Sequence, residues 1–353
     1  MPARRPTMTD IAKQAGVSQS TVSLVLNDVR GTKVSKATRE LVLAIAREIG
    51  YPQVRHPRSG AAPQRNLILY LTDELATSPH AMQTIDGASN LAWEQDCIVS
   101  VFATRSDPAR EAAILAQMLA NPALLGVIYA TIFTRRASVP APLGATQVPV
   151  VLLNCHARDH GYPSVVPAEV LGGYAATMHL VEAGHRRIGL INGEPWLEAA
   201  AERHKGYRQA LTTADIPYDP ALVREGDWQV GSGFAHALAL LRLPEPPTAL
   251  FCANDLMAMG AIDAARQLEL DIPGRLSIVG YDDQDMARYV HPPLTTVLLP
   301  NYEMGRWAAE TLIGQARAGL PALRQQIKME CPLVVRDSVA GPATGWGLSL
   351  QRD

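Results

Sequence analysis

In the first fifty residues, apolar positions recur at helical spacing in three short blocks. Ile11, Ala12 and Ala15 follow Thr7, and Asp10 stands three residues beyond that threonine, the spacing of a capping box. Ala15-Gly16-Val17 reads as a turn in which Gly16 is free to take a positive φ. Ser18 reads as the cap of a second helix with Val22, Val25 and Leu26 as its stripe. Val34 and Ser35 open a third helix that runs to Ile49, carries Val42, Ile45 and Ile49 on one face, and stops at Gly50. The pattern predicts three helices sharing one small core, the first two forming a helix-turn-helix that leaves Gln19, Ser20, Ser23 and Leu24 facing outward.

After Tyr51 the stripe disappears. PQVRHPRSGAAPQR holds three prolines, one glycine and four basic residues with His56 counted, which makes it a linker. From Leu67 onward, short apolar runs alternate with amphipathic stretches. LILYLT, CIVSVF, LLGVIYA and VPVVLLN read as strands, with helices over 81–93 and 110–119 between them. A second series follows, with RRIGLI, TALFCA and LSIVGY as strands and helices over 172–183, 201–211, 234–241 and 256–268. Tyr302 to Ala318 reads as a helix that returns to the first lobe, before a strand QQIKMECPLVV. The predicted fold is an all-α helix-turn-helix headpiece followed by an α/β core of two lobes, each a doubly wound parallel sheet. Such sheets bind ligands at the carboxyl ends of their strands, which directs attention to Asp73, Asn154, Asn254, Asp255, Asp282 and Asp283.

Charge sharpens the division. Residues 1–65 carry eleven Lys and Arg against four Asp and Glu, a net +7, which leaves −9 for the rest of a chain whose formal total is −2. A basic end on an acidic body is the asymmetry expected when one end meets a polyanion. MPARRPT has no apolar segment behind its arginines, and no run of about 18 apolar residues exists, so neither a secretory signal nor a membrane span is expected and the protein is read as cytoplasmic. Cys97, Cys155, Cys252 and Cys331 are far apart, with no CxxC and no histidines at ligand spacing, and read as core residues rather than metal ligands. There is no GxSxG elbow, Walker loop or HExxH, so no catalytic residues, no metal and no cofactor are expected, and the protein is read as not an enzyme.

TxxDIAxxAGVSxxTVSxVLN, then VSxxTRExV, then GY, resembles the headpiece of the LacI/GalR transcriptional repressors. GHRRIGLINGEP, KGYRQAL, CANDLMAMGAI and SIVGYDDQDMARYVHPPLTTV resemble signatures of the same family's core, so the resemblance covers nearly the whole chain. It implies a periplasmic-binding-protein-like core and a sequence-specific DNA-binding regulator, a repressor, whose operator affinity is set by a small sugar-like effector between the lobes. The expected domains are a headpiece over 1–52, a hinge over 53–65, a core over 66–340 and a tail over 341–353. Within the core, lobe one spans about 66–165 and 298–325, and lobe two about 166–297 and 326–340.

The resemblance implies a DNA-facing set of Thr9, Ser18, Gln19, Ser20, Thr21, Ser23, Leu24, Asn27, Ser35, Thr38, Arg39, Tyr51, Arg55 and Arg58. Gln19 and Ser20 would read base edges, while Thr21, Ser23, Ser35 and Arg39 would hold phosphates. For the effector it implies Asp73, Asn154, Arg203, Trp228, Asn254, Asp282 and Asn301, with Trp228 as an apolar wall; Trp196, a departure from the family in the GEPWLEAA loop, is added to the set, and Arg203 and Asp282 are read as the decisive pair holding a polyol between them. The local alternatives are a helix cap for Asn254, a surface ion pair for Arg203 and a core position for Trp228. The linker departs from the family pattern, placing Arg58 or Ser59 where a minor-groove leucine is expected, so less kinking of DNA is expected. AGPATGWGLSLQRD has no leucine heptads, so a homodimer rather than a tetramer is expected. The competing reading is a solute-binding protein of the same two-lobed fold, without DNA function. It calls for a signal peptide and no helix-turn-helix, the reverse of what the sequence carries.

Overall fold

The computed structural model describes residues 7–26, 34–49, 65–75, 79–157, 161–319 and 325–343. Two compact units, 1–64 and 65–353, are each closed on themselves. In the first, α1 (Met8–Ala15), α2 (Gln19–Leu26) and α3 (Lys36–Glu48) enclose Ile11, Val22, Val25, Val42, Ile45 and Ala46. Asp10 Oδ2 accepts from the Thr7 backbone N–H at 2.8 Å and from its hydroxyl at 2.7 Å, fixing the entry to α1. Gly16 ends α1 at φ 67°, a left-handed conformation that suits glycine. Ser18 Oγ then accepts from the Thr21 N–H at 3.2 Å, and Ser35 Oγ accepts from the Thr38 N–H at 3.1 Å, so α2 and α3 begin on serine caps. The hinge residues Arg55 and Arg58, with Asn27 and Tyr51, lie outside the described residues.

The second unit contains two six-stranded sheets. Sheet one runs β11-β5-β4-β3-β1-β2, built from β1 (Leu67–Thr72), β2 (Ile98–Ala103), β3 (Leu124–Arg136), β4 (Val150–His156), β5 (Ser164–Pro167) and β11 (Gln326–Met329). Sheet two runs β12-β10-β9-β8-β6-β7, built from β6 (Ile188–Asn192), β7 (Val223–Glu225), β8 (Ala249–Cys252), β9 (Ser277–Asp282), β10 (Thr295–Leu298) and β12 (Leu333–Val334). Among the described residues all pairings are parallel except that of β12 with β10. The helices of this unit are α4 (Pro79–Glu94), α5 (Pro108–Leu119), α6 (Ala141–Ala145), α7 (Glu169–Glu182), α8 (Glu198–Thr213), α9 (Val230–Leu241), α10 (Asp255–Gln267) and α11 (Asn301–Ala318). They pack chiefly as α4 with α11, α7 with α8 and α9 with α10. The continuous apolar runs of the central strands follow from burial on both faces.

The stretch expected as a single strand of lobe two is divided between the lobes. Gln326–Met329 pairs with β5 in sheet one, while Leu333–Val334 lies antiparallel to β10 in sheet two. Pro332 has no N–H to continue a ladder, and Cys331 is drawn into the core beside Tyr281 and Phe251. The chain therefore crosses between lobes three times: at Ala168, at Leu299-Pro300 and at Glu330 to Pro332.

The α7–α8 contact positions the site. A Cβ at Gly173 would meet the Arg203 carbonyl oxygen at 2.4 Å, and one at Gly206 would meet the Val170 carbonyl oxygen at 2.2 Å. These two glycines let the helix backbones touch, which brings Arg203 on α8 beside Glu169 at the start of α7.

Candidate functional site

A cavity of about 110 Å³ lies between the lobes at the strand ends. Lobe two supplies Glu169, Arg203, Trp228, Asn254 and Asp282, and lobe one supplies His80, Phe133, Asn154 and Asn301. Three of these hold positive φ without being glycine: Asn154 at 57°, Trp228 at 67° and Asp282 at 109°. Backbone conformations of this kind cost of order 1–3 kcal/mol and gather where a fold holds a binding site in shape.

Arg203 is the floor of the cavity and is 3% exposed. Its Nε donates to Glu169 Oε2 at 2.8 Å and its Nη2 to Glu169 Oε1 at 3.0 Å, a two-pronged pair. Nη1 donates to the Ala253 carbonyl and lies 3.6 Å from Asp282 Oδ1. The guanidinium stacks 3.7 Å over the Tyr281 ring. Burial alone would lower its pKa, but Glu169, Tyr281 and Asp282 together raise it, so Arg203 is permanently charged. Arg203 and Asp282 therefore sit on the same lobe almost in contact, with no space for a polyol between them, which corrects the arrangement expected from sequence.

Lobe one closes over this floor. Asn301 Nδ2 lies 3.1 Å from His80 Nδ1, and His80 Nε2 lies 3.3 Å from Asp282 Oδ2. The Phe133 and Trp228 rings approach across the cleft with centroids 6.3 Å apart. Trp228 leans on Gly193, where a Cβ would lie 1.8 Å from its ring, and its buried Nε1 donor has no hydrogen-bond partner. Farther out, His156 Nε2 pairs with Glu198 Oε2 at 3.0 Å and Lys328 Nζ with Glu202 Oε1 at 2.8 Å, both joining lobe one to lobe two.

Of the residues expected to meet an effector, Asn154, Arg203, Trp228, Asn254, Asp282 and Asn301 border this cavity. Asp73 and Trp196 do not. Asp73 is turned into lobe one, accepting from the Ile132 N–H at 2.9 Å and from Arg135 at 2.8 Å, while Trp196 is 77% exposed on the loop before α8. Asn154 and Asn254 border the cavity with their amides already engaged. Asn154 donates to the Thr131 and Ile132 carbonyls and accepts from Thr134 Oγ1 at 2.6 Å, bracing the irregular stretch of β3. Asn254 caps α10 by accepting from the Met257 N–H at 2.8 Å and holds the Trp228 carbonyl through Nδ2 at 3.0 Å. Glu169, His80 and Phe133 escaped the sequence reading. Glu169 lies two residues past β5, and this position near a strand end was the signal available for it.

Two residues behind Asp282 shape its electrostatics. Asp255 is fully buried, accepting from Thr296 Oγ1 at 2.6 Å and from the Gln284 N–H at 2.8 Å. Burial and then the charge of Asp282 raise its pKa well above the ordinary aspartate value. Asp283 is neutralised by Arg336 at 2.5 Å. The four cysteines are buried, and burial pushes the thiols of Cys155 and Cys331 up to about 12. No group of three or more His, Cys, Asp or Glu that could hold a metal occurs among the described residues.

In the helix-turn-helix unit, Thr9, Ser18, Gln19 and Ser35 are exposed and Thr21, Leu24, Thr38 and Arg39 are half-buried. The side chains of Ser20 and Ser23 lie outside the described part.

Residues 7–53 match the family described as bacterial regulatory proteins, lacI family, and residues 177–339 match the periplasmic binding protein-like domain. The HTH-type transcriptional repressor CytR of Escherichia coli (strain K12) is 32% identical over 338 residues, covering 94% of this chain and 96% of that protein. The chain belongs to the LacI family. Solved structures agree: a transcriptional regulator CelR–cellobiose complex superposes with a TM-score of 0.65 at 30% identity, covering 95% of this chain and all of that one. The lac repressor dimer bound to operator and the anti-inducer ONPF gives 0.68 at 29% identity, covering 96% of this chain and all of that one. This LacI-family protein is a DNA-binding transcriptional repressor and not an enzyme. The match over 7–53 also separates it from a solute-binding protein that shares only the two-lobed fold. Among the described residues no helix is long and apolar enough to cross a membrane.

Proposed function

We propose that this repressor binds operator DNA as a homodimer through a headpiece ending near residue 52, and that a small sugar-like effector held between its lobes controls that binding. The observation that carries the effector reading is the make-up of the cavity. Phe133 and Trp228 offer apolar faces, while His80, Arg203, Asp282 and Asn301 offer polar edges, and the Trp228 Nε1 donor awaits an acceptor. Apolar faces with a few fixed polar groups suit a small polyhydroxylated ring. The cellobiose of the CelR complex is a ligand of this chemistry in a related structure. Effector contacts are assigned to Arg203, Trp228, Asp282 and Asn301, with Asn154 and Asn254 as supports of the wall.

The DNA reading assigns base contacts to Gln19 and Ser20 at the start of α2, and phosphate contacts to Thr21, Ser23, Ser35 and Arg39. A second copy is supported by exposed apolar side chains on α4 and the edge strand β2, where Met82, Trp93, Ile98 and Phe102 are 37–76% exposed. The lac repressor dimer on its operator is the corresponding assembly of a relative. Effector and operator then couple by linkage, each changing the other's affinity by the same factor, typically worth about 1–3 kcal/mol.

The test is to select an operator from random DNA with the full chain, then titrate binding by fluorescence anisotropy with and without mono- and disaccharides. A sugar that shifts operator affinity at least fivefold supports the reading. If no sugar does so while nucleosides or amino acids do, the sugar assignment fails and the repressor assignment stands.

A further inference from the structure

Among the described residues, the charged side chains bordering the cavity are Arg203, Glu169 and Asp282, with His80 as the one further titratable group. The guanidinium is the cation an anionic ligand would need, and its charge is already matched, although N–H donors remain for a neutral hydroxyl. Glu169 takes its Nε and Nη2 at 2.8 and 3.0 Å, the Ala253 carbonyl takes Nη1, and Asp282 Oδ1 stands 3.6 Å away. Glu169 is 1% exposed and Arg203 3%, so solvent does not screen this pair. Among the described residues that border the cavity, the two carboxylates of Glu169 and Asp282 outnumber the one guanidinium of Arg203, so these side chains leave no positive charge over.

The helix ends give an anion no better footing. α7 and α10 begin beside the cavity, and α7 carries the carboxylate of Glu169 in its first position. The α10 terminus is occupied by Asn254 Oδ1, which takes the Met257 N–H at 2.8 Å. The charged groups just behind are matched as well, Asp283 to Arg336 and Asp73 to Arg135.

We propose that Glu169 acts as an internal counter-ion that makes the effector cavity selective for uncharged sugars and closes it to their phosphorylated and carboxylated counterparts. This rests on the reading that the cavity takes a sugar-like effector, and it adds the charge class of that effector. Glu169 works through Arg203 and is a positioning and specificity residue. An anion entering the cavity must either face two carboxylates or displace Glu169 from a buried, two-pronged pair, a penalty that corresponds to at least about a hundredfold in affinity.

The experiment uses the full chain and reads thermal stabilisation for matched probes: glucose with glucose 6-phosphate and glucuronate, ribose with ribose 5-phosphate, cellobiose with cellobionate, and inorganic phosphate alone. The expected result is stabilisation by at least one neutral sugar, with its anionic counterpart binding a hundredfold more weakly, and none by phosphate. An anionic counterpart that binds as well as or better than its neutral sugar overturns the proposal.

Glu169→Gln keeps the shape and frees Arg203, so it should gain stabilisation by phosphate or by a sugar phosphate. Glu169→Asp keeps the charge and should not. Should no probe bind the wild-type protein, the sugar reading fails, and the charge filter is judged separately by whether Glu169→Gln acquires phosphate binding. A folded Glu169→Gln protein that still refuses phosphate overturns it. If that variant does not fold, the comparison of neutral and anionic probes on the wild-type protein decides.

Discussion

His156 Nε2 on β4 lies 3.0 Å from Glu198 Oε2 on α8, and this pair ties the two lobes together outside the cavity. Its neighbour across the same cleft is Lys328 with Glu202 at 2.8 Å. Both are partly exposed, so each is worth at most about 1 kcal/mol to stability. Their larger effect falls on the balance between closed and open lobes, where a small bias matters. Glu198→Gln combined with Glu202→Gln should leave the unfolding midpoint nearly unchanged while increasing the ligand-free radius of gyration of the core in small-angle X-ray scattering. An unchanged radius would show that these pairs do not hold the cleft shut.

Arg203 is a structural residue as much as a binding one. Arg203→Ala leaves Glu169 buried without its counter-ion, and breaking a buried pair from one side costs about 3–5 kcal/mol. The variant should therefore unfold at clearly lower urea concentration, and a lost effector response would report damage to the lobe as well as to the contact. Near wild-type unfolding would mean that water reaches Glu169.

Trp228→Phe isolates a single hydrogen bond. The wild-type Nε1 is buried without a partner, so losing it relieves an unpaired donor while some packing against Gly193 is lost. Stability without ligand should change by less than about 1 kcal/mol, and effector affinity should fall about tenfold. Urea unfolding checks the first half and calorimetric titration the second. Unchanged affinity would mean that the indole meets the ligand only through its ring.

Asp255 gives a pH signature. Burial, and after it the charge of Asp282, raise its pKa in the folded protein, so the fold binds this proton more tightly than the unfolded chain does. Its contribution to stability is complete below the ordinary aspartate value of about 4 and is lost as pH rises through the elevated folded value. Asp255→Asn cannot titrate and should remove that loss. Melting temperatures of the two proteins from pH 4 upward should diverge, the wild type falling relative to the variant. Parallel curves would show that Asp255 stays ionised.

On DNA, Gln19→Ala should relax discrimination at one operator position by about 1–3 kcal/mol. Arg39→Ala should weaken all sequences alike and flatten the salt dependence. Selection of operators by each variant separates the two patterns. Uniform weakening by the Gln19 change would remove it from base reading.

What could be read in the sequence was whatever local spacing encodes. Thr7 with Asp10, Gly16, Ser18 and Ser35 announced the helix ends of the first unit, and the longer apolar runs announced the central strands but not the short β5, β7 and β10, because caps and periodicities are set within a few residues. The family resemblance brought six of eight effector candidates to the cavity, and the strand-end rule by itself gave three of those six, Asn154, Asn254 and Asp282. It could not show which way their polar groups turn. Asp73 turns to Arg135, 62 residues on, and Arg203 to Glu169, 34 residues back, rather than to the adjacent Glu202, which reaches Lys328. Those choices are made by the sheet order and by the close approach that Gly173 and Gly206 permit. The division of 326–334 between sheets was hidden for the same reason, since both halves read as strand and only their partners differ.

The triple crossing also fixes the order in which the molecule can be completed during synthesis. The helix-turn-helix core is finished with Ala46, but the lobe-one core awaits Met304 to Ile313 on α11, and the two sheets gain their edge strands only with β11 and β12. Lobe one cannot close while the ribosome is still upstream of residue 301. A chain interrupted in that interval presents a DNA-binding unit with its own core and no working effector cavity, so premature termination yields fragments that the effector cannot address.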